Sequence, residues 1–198
     1  MAYVIGIIAT DGNLSSDGRH INITSKDYEM IIRIKKLLKL KSKVGRKARG
    51  GSKEKRYFYL QFGDVCFYDF LVSIGLTPAK SKTLNKISVP SQYFPDFLRG
   101  CIDGDGNIGG FIHPESNLVQ SRVRLASASS KFLNWILTTI HTEMKIPGGW
   151  IYQSKKKMST LSFGKNDTRK ILKLMYYKKS LPALKRKRLV AEKIMGGW

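Results

Sequence analysis

Two stretches decide how this chain is read: Tyr3-Val-Ile-Gly-Ile-Ile-Ala-Thr-Asp-Gly12 and Phe97-Leu-Arg-Gly-Cys-Ile-Asp-Gly-Asp-Gly106. Gly6 matches Gly100, Asp11 matches Asp105 and Gly12 matches Gly106, each at a spacing of 94 residues. Outward from them the likeness continues in the same order. Ile21-Asn-Ile-Thr-Ser25 matches Val123-Arg-Leu-Ala-Ser127 at a spacing of 102. Tyr59-Leu-Gln-Phe-Gly63 matches Thr160-Leu-Ser-Phe-Gly164 at 101, and Pro78-Ala79 matches Pro182-Ala183 at 104. Ordered self-similarity of this kind marks a duplicated unit. The drift in spacing fits loop insertions, chiefly around 111–120. The chain divides into an N-terminal repeat over 1–84, a linker over 85–94 with Pro90 and little helical pattern, and a C-terminal repeat over 95–198.

Each unit reads α-β-β-α-β-β-α. The apolar motif segment is a helix that ends near its Asp-Gly. A hairpin follows, closing at Ile21–Thr24 or Val123–Ala126, and Ser25 or Ser129 is placed to cap the next helix. That helix carries Tyr28, Ile31, Ile32, Leu37 and Leu38 in one copy, and Phe132, Trp135, Ile136 and Ile140 in the other, at amphipathic spacing. A second hairpin is expected at roughly 41–62 and 149–163, and closing helices at roughly 64–74 and 166–178, each trailed by basic sequence. The fold class is α+β, with two pseudo-symmetric repeats forming a saddle-shaped antiparallel sheet and helices on one face.

The chain has 198 residues, 42% of them hydrophobic, enough to bury a core. Its 36 Lys and Arg against 14 Asp and Glu leave a net charge of +22. A phosphate polyanion is the natural partner of such an excess, through counterion release. The positive charge is spread over predicted strands, loops and helices rather than gathered on one amphipathic helix, which argues against a membrane surface. There is no signal-peptide layout and no apolar run of membrane-spanning length, so the chain is expected not to be secreted, and to work wherever its host genome lies. Two single cysteines, Cys66 and Cys101, exclude a disulfide framework and a Cys-x-x-Cys zinc site.

Strand alternation separates a core face from an outward one. Phe58, Leu60 and Phe62 share the core face, so Tyr57, Tyr59 and Gln61 face outward. Leu161 and Phe163 leave Thr160 and Ser162 outward, and the neighbouring strands add His20, Asn22, Thr24, Arg122 and Arg124. Such side chains donate and accept hydrogen bonds at base edges; an ordinary solvated sheet face would look similar. Lys41, Lys43, Arg46, Lys47 and Arg49 in one hairpin, and Lys155, Lys156 and Lys157 in the other, add phosphate-seeking charge beside that face.

The two motif segments resemble the LAGLIDADG motif of homing endonucleases, the second copy more closely. Two copies in register resemble the single-chain, two-repeat branch of that family, over essentially the whole chain. The resemblance implies a site-specific double-stranded DNA endonuclease that hydrolyses one phosphodiester per strand, acting as a monomer without an obligate protein partner on a long asymmetric site. It makes Asp11 and Asp105 the catalytic, metal-binding acids, with Thr10 and Gly104 beside them in the metal set. It makes Lys82 and Lys187 catalytic candidates, with Lys80 and Lys185 as alternatives in the local register. Mg²⁺ is the implied cofactor, with Ca²⁺ as a non-cleaving substitute and Mn²⁺ as another ion. The alternative is an inactive relative acting as an intron-RNA maturase or sequence-specific DNA-binding protein.

Elementary chemistry is consistent with that picture. Gly6 and Gly100 let two helix backbones approach closely. Gly12 and Gly106 are expected to turn the chain at positive φ. Two adjacent carboxylates repel unless a cation bridges them, and Mg²⁺ takes a few carboxylate oxygens together with phosphate and water. Ala9 stands where motif copies often carry an acid. Asp103, at that place in the second copy, reads as a supporting or helix-end carboxylate. Asp103-Gly-Asp105-Gly-Asn107 lacks the Gly and Glu that a calcium loop needs at its sixth and twelfth positions, which here are Ile108 and Pro114. The tryptophans Trp135, Trp150 and Trp198 read as core or tail.

Overall fold

A computed structural model describes residues 1–48, 53–153 and 158–196. Arg49, Lys155, Lys156 and Lys157 lie outside the described residues. The first repeat contains α1 (Ala2–Asp11), β1 (Gly12–Leu14), β2 (His20–Ser25), α2 (Tyr28–Leu37), β3 (Val44–Lys47), β4 (Tyr57–Gly63) and α3 (Val65–Ser73). The second contains α4 (Phe94–Asp105), β5 (Gly106–Ile112), β6 (Val119–Ser127), α5 (Ser130–Glu143), β7 (Trp150–Gln153), β8 (Ser159–Phe163) and α6 (Lys165–Met175). The order is the expected α-β-β-α-β-β-α, twice. A further helix, α7 (Lys185–Gly196), follows in the second copy, where only a basic trailing segment was expected.

Each repeat builds one antiparallel four-stranded sheet, ordered β1-β2-β4-β3 and β5-β6-β8-β7, and these are the two halves of the saddle. The equivalent pairings Ile23↔Leu60 and Leu125↔Leu161 set both central ladders. In both, alternate residues point to the helix-covered core: Ile21, Ile23, Leu60 and Phe62 in one half, Val123, Leu125, Leu161 and Phe163 in the other, all buried.

Helices α1 and α4 pack side by side as the seam between halves. Every residue from Tyr3 to Ala9 is buried, as a helix apolar all round must be. The approach is backbone on backbone. A Cβ added at Gly6 would stand 2.9 Å from Cys101 N and 3.0 Å from Gly100 Cα, and would run into the Phe97 carbonyl; one at Gly100 would run into the Tyr3 carbonyl. Pro95 in the first turn of α4 suits a position with no intrahelical N–H partner.

Two local expectations are corrected. Gly12 and Gly106 do not adopt positive φ; both are extended, at φ −93° and −94°. What excludes a side chain there is space, because a Cβ would lie 2.7 Å from Ile8 Cα or 2.5 Å from Ile102 Cα. Ser129 caps α5 by accepting from Phe132 N, but Ser25 accepts from Asp27 N, and Asp27 is the residue that heads α2.

The chain between α3 and α4 packs onto the molecule: Leu84 and Ile87 are buried, and the Ser129 hydroxyl donates to the Leu84 carbonyl. A second tie joins the halves where Arg186 of α7 donates to both carboxylate oxygens of Asp27, at 3.2 and 2.8 Å. That guanidinium holds the Asp27 carboxyl below its ordinary range.

Candidate functional site

Because α1 and α4 run in register along the seam, both end at the same place, and each ends on its aspartate. Asp11 and Asp105 line one cleft of about 760 Å³, together with Thr10, Asn13, Asn22, Thr24, Gln61, Lys80 and Ser127. Asp11 is half-buried and Asp105 exposed. A Cβ added at Gly104 would collide with the Thr10 side chain and stand in ordinary contact, 3.4 Å, with Asp11 Oδ2, so the second motif's glycine is what makes room for the first motif's Thr10. Thr10 itself turns its hydroxyl back to the Gly6 and Ile7 carbonyls, both at 3.1 Å.

A buried lysine sits at the end of each motif helix. Lys187 Nζ donates to the carbonyls of Ile102, Asp103 and Gly106 at 2.5, 2.8 and 2.7 Å, which takes up all three of its N–H groups. Lys80 Nζ donates to the Gly12 carbonyl. Both lysines are 5% exposed. A cation is favourable there, where helix carbonyls lack intrahelical partners. Burial pushes the Lys80 ammonium down to about 8 against the pull of Asp105 and Asp11, and burial pushes Lys187 down to about 8 against the pull of Asp103.

Of the two first-half candidates, Lys80 is the one buried at the end of the motif helix, and Lys82 is exposed on the turn. Residues 78–83 wind tightly, with Ala79 at φ +52° and Lys80 O accepting from both Thr83 N and Leu84 N, and this winding directs Lys80 inward. Lys185 is likewise exposed, at the head of α7. Ser25 and Ser127 spend their hydroxyls on Asp27 N and Ser129 N, and only Ser127 lines the cleft.

A polar surface with basic residues extends from the cleft along both sheets. In the first half Asn22 pairs with Gln61 across the strands at 3.4 Å, Thr24 donates to Asn22 at 2.8 Å, and Lys47 lies 5.4 Å from the Tyr59 ring. Tyr57 has the Lys26 ammonium 5.3 Å from its ring. His20 sits at the rim with Nδ1 2.6 Å from Asp17 Oδ2. Lys41 and Lys43 are exposed ahead of β3. Arg46 pairs with Phe58, and Val44 with Leu60, so alternation puts Arg46 on the opposite face from Tyr59; it is exposed there, with its guanidinium 5.0 Å from the Phe58 ring.

In the second half Arg124, Ser162 and Trp150 stand in one cross-strand row, with Thr160 beside Tyr152 in the next. Arg122 lies between two rings, 4.7 Å from Phe111 and 5.8 Å from Trp150. Ser162 is a correction: at 1% exposure its short side chain is covered between its larger neighbours. Trp150 is the converse correction, neither core nor tail but 43% exposed on the outward face of the sheet, with Tyr152 at 44%. Sequence reasoning missed these two and Phe111. The signal was there in Trp150-Ile-Tyr152, where the inward Ile151 puts both aromatics outward.

No protein-family model matches the chain, and no curated protein matches it. Solved structures do. A mesophilic variant of the homing endonuclease I-DmoI superposes at TM-score 0.61 with 14% identity, over 96% of each chain. The LAGLIDADG meganuclease I-AabMI, bound to uncleaved DNA, superposes at 0.61 with 13% identity, over 98% of this chain and 88% of its own. Full-length DUF199/WhiA from Thermatoga maritima superposes at 0.60 with 14% identity, over 98% of this chain; this chain spans 58% of that protein's length. Neighbours at this level are mostly homing endonucleases. The chain therefore carries the LAGLIDADG fold in its single-chain, two-repeat form.

Proposed function

We propose that the protein is a metal-dependent, site-specific endonuclease of double-stranded DNA that cuts one phosphodiester on each strand. The observation that carries this reading is the convergence of Asp11 and Asp105 on one cleft, at the shared end of the seam and beside the polar strand residues Asn22, Thr24 and Gln61. Structures with this fold include endonucleases bound to target DNA, I-LtrWI among them, and also WhiA, so the fold alone does not choose between cutting and binding. The two acids make the difference: a surface that only bound DNA would gain nothing by placing two carboxylates where phosphates must come.

The donor set suits a hard divalent cation. Asp11 and Asp105 offer oxygens, Thr10 and Gly104 adjoin them, and among the described residues no group of three or more His, Cys, Asp or Glu side chains forms a closed metal cage. A site with few protein ligands leaves positions for phosphate and water, the coordination Mg²⁺ prefers; Mn²⁺ would serve as well, and Ca²⁺ would hold DNA without cleavage. Such an ion, when bound, lowers the pKa of water and neutralises phosphate charge. The chain's residues do the rest. The seam fixes the two carboxylates relative to each other, Lys80 and Lys187 hold positive charge at the helix ends behind them, and the strand residues position the duplex. Lys187, with its donors committed to carbonyls, acts through the field it sets rather than by touching phosphate.

Asn22, Gln61, Arg122 and Arg124 read base edges in the major groove. Lys41, Lys43 and Lys47 contact phosphate. The protein acts as a monomer in the compartment of its host genome. The test is incubation with a randomised duplex library and Mg²⁺: discrete ends at one long asymmetric site support the reading, and specific retention without cleavage supports the DNA-binding alternative.

A further inference from the structure

The second motif has a buried acid that the first lacks. Asp103 occupies the place of Ala9 and is 1% exposed. Its Oδ2 accepts two hydrogen bonds, from the Tyr3 hydroxyl across the seam and from the Leu184 backbone N–H, both at 2.8 Å. Leu184 immediately precedes α7, and Lys187 lies in the first turn of that helix. The same carboxylate therefore joins α4, the opposite motif helix and the segment that delivers Lys187. Arg99, 1% exposed, secures the preceding stretch by donating to the Met175 and Pro182 carbonyls at 2.5 and 2.9 Å. Among the described residues nothing equivalent serves the first half, where the Ala9 side chain offers no acceptor and Lys80 hangs on a turn rather than a helix.

A carboxylate taken out of water is costly unless its contacts are worth the desolvation. Burial raises the Asp103 pKa, and the hydrogen bonds from Leu184 and Tyr3 oppose that rise. Its other oxygen, Oδ1, has no hydrogen-bond partner among the described residues, nor does the Tyr176 hydroxyl, so the group is held for geometry at some expense.

We propose that Asp103 is a positioning residue that seats Lys187 against the end of the helix that carries Asp105, so that the second half depends on a pin the first half does without and the two strand cuts differ in their sensitivity to its loss. The proposal rests on the nuclease reading for its consequence, and on the hydrogen bonds alone for its cause. Two readouts separate these. In Asp103→Ala, amide exchange at Leu184 is expected to quicken by about tenfold or more, with Leu172 in α6 unchanged. With end-labelled duplex, the same variant is expected to slow one strand at least about tenfold and the other by less than about twofold, so that nicked plasmid accumulates. The slowed strand should be the one slowed in Lys187→Met, and Asp103→Ala/Lys187→Met should cut it no more slowly than Lys187→Met alone. Asp103→Asn, which keeps an acceptor for both donors, should restore near wild-type strand balance. Tyr3→Phe removes one donor without emptying the site, and should show the same bias more weakly even if Asp103→Ala fails to fold. Equal slowing of both strands, additive effects with Lys187→Met, or unchanged exchange at Leu184 would overturn the proposal. A wild-type protein that does not cut would sink the nuclease reading, and Leu184 exchange would still decide whether Asp103 is the pin.

Discussion

Replacing Gly6 with alanine tests the seam on which the site depends. The new methyl would meet backbone on the facing helix, at 2.9 Å from Cys101 N and 3.0 Å from Gly100 Cα, besides the Phe97 carbonyl. Comfortable contact needs about 3.5 Å or more, so the helices must part by at least about half an ångström. None of these neighbours is a flexible side chain that could move aside. Overpacking of a close-fitted interior costs about 1–3 kcal/mol, and a rigid backbone neighbour puts this site at the upper end. For a chain of this size about 3 kcal/mol lowers Tm by roughly 6–12 °C. The displacement also reaches the functional end, because Gly104 and the Asp11 carboxylate are neighbours there. Differential scanning calorimetry measures the stability loss, and Mg²⁺-dependent cleavage of the selected site measures the second effect, expected to fall by about tenfold or more. Gly18→Ala is the control. That glycine has φ +71° but open space around it, so its backbone strain should cost about 1 kcal/mol without affecting cleavage. A Gly6→Ala protein with wild-type Tm and wild-type cutting would refute the claim that these helices meet backbone to backbone.

Lys80→Met should reduce cleavage about a hundredfold while Lys82→Met leaves it within twofold, measured as single-turnover rates; equal effects would undo the choice between them. For stability, both buried lysines titrate near 8 when folded against an ordinary 10.5, so below pH 8 the folded state bears the full cost of two buried ammonium groups. That cost is relieved as pH rises from about 8 toward 10.5, so stability to urea should increase by on the order of 2 kcal/mol per lysine between pH 7 and 9.5, and Lys80→Met should flatten the rise. Arg122→Ala should weaken specific DNA binding by about 1–3 kcal/mol in a Ca²⁺ fluorescence titration, whereas Arg46→Ala should change it by less than about 0.5 kcal/mol.

The duplication made most of the architecture readable, because the matching blocks fall on the motif helices and central strands, where packing constrains the residue type most tightly. What escaped was set by local winding and by neighbours. The Pro-Ala registers align Lys82 with Arg186 rather than Lys80 with Lys187, since the inward turn of one and the helix of the other start at different distances from the proline. A charge count does not give strand parity, and pairing with Phe58 is what fixes the face on which Arg46 lies. Ser162 has the right parity but too short a side chain to emerge between Arg124 and Trp150. The roles of Gly12 and Gly106 were misjudged because the sequence shows that a side chain is absent, while only the structure shows that space, not φ, excludes it.

The measurement that bears most directly on the central claim is strand cleavage by Asp11→Asn and Asp105→Asn alongside DNA affinity. Each substitution keeps size and shape and removes one negative charge from the cleft. The account predicts loss of Mg²⁺-dependent cutting in both, with specific binding kept within about tenfold of wild type. Retention of wild-type cutting on both strands by either variant would contradict it.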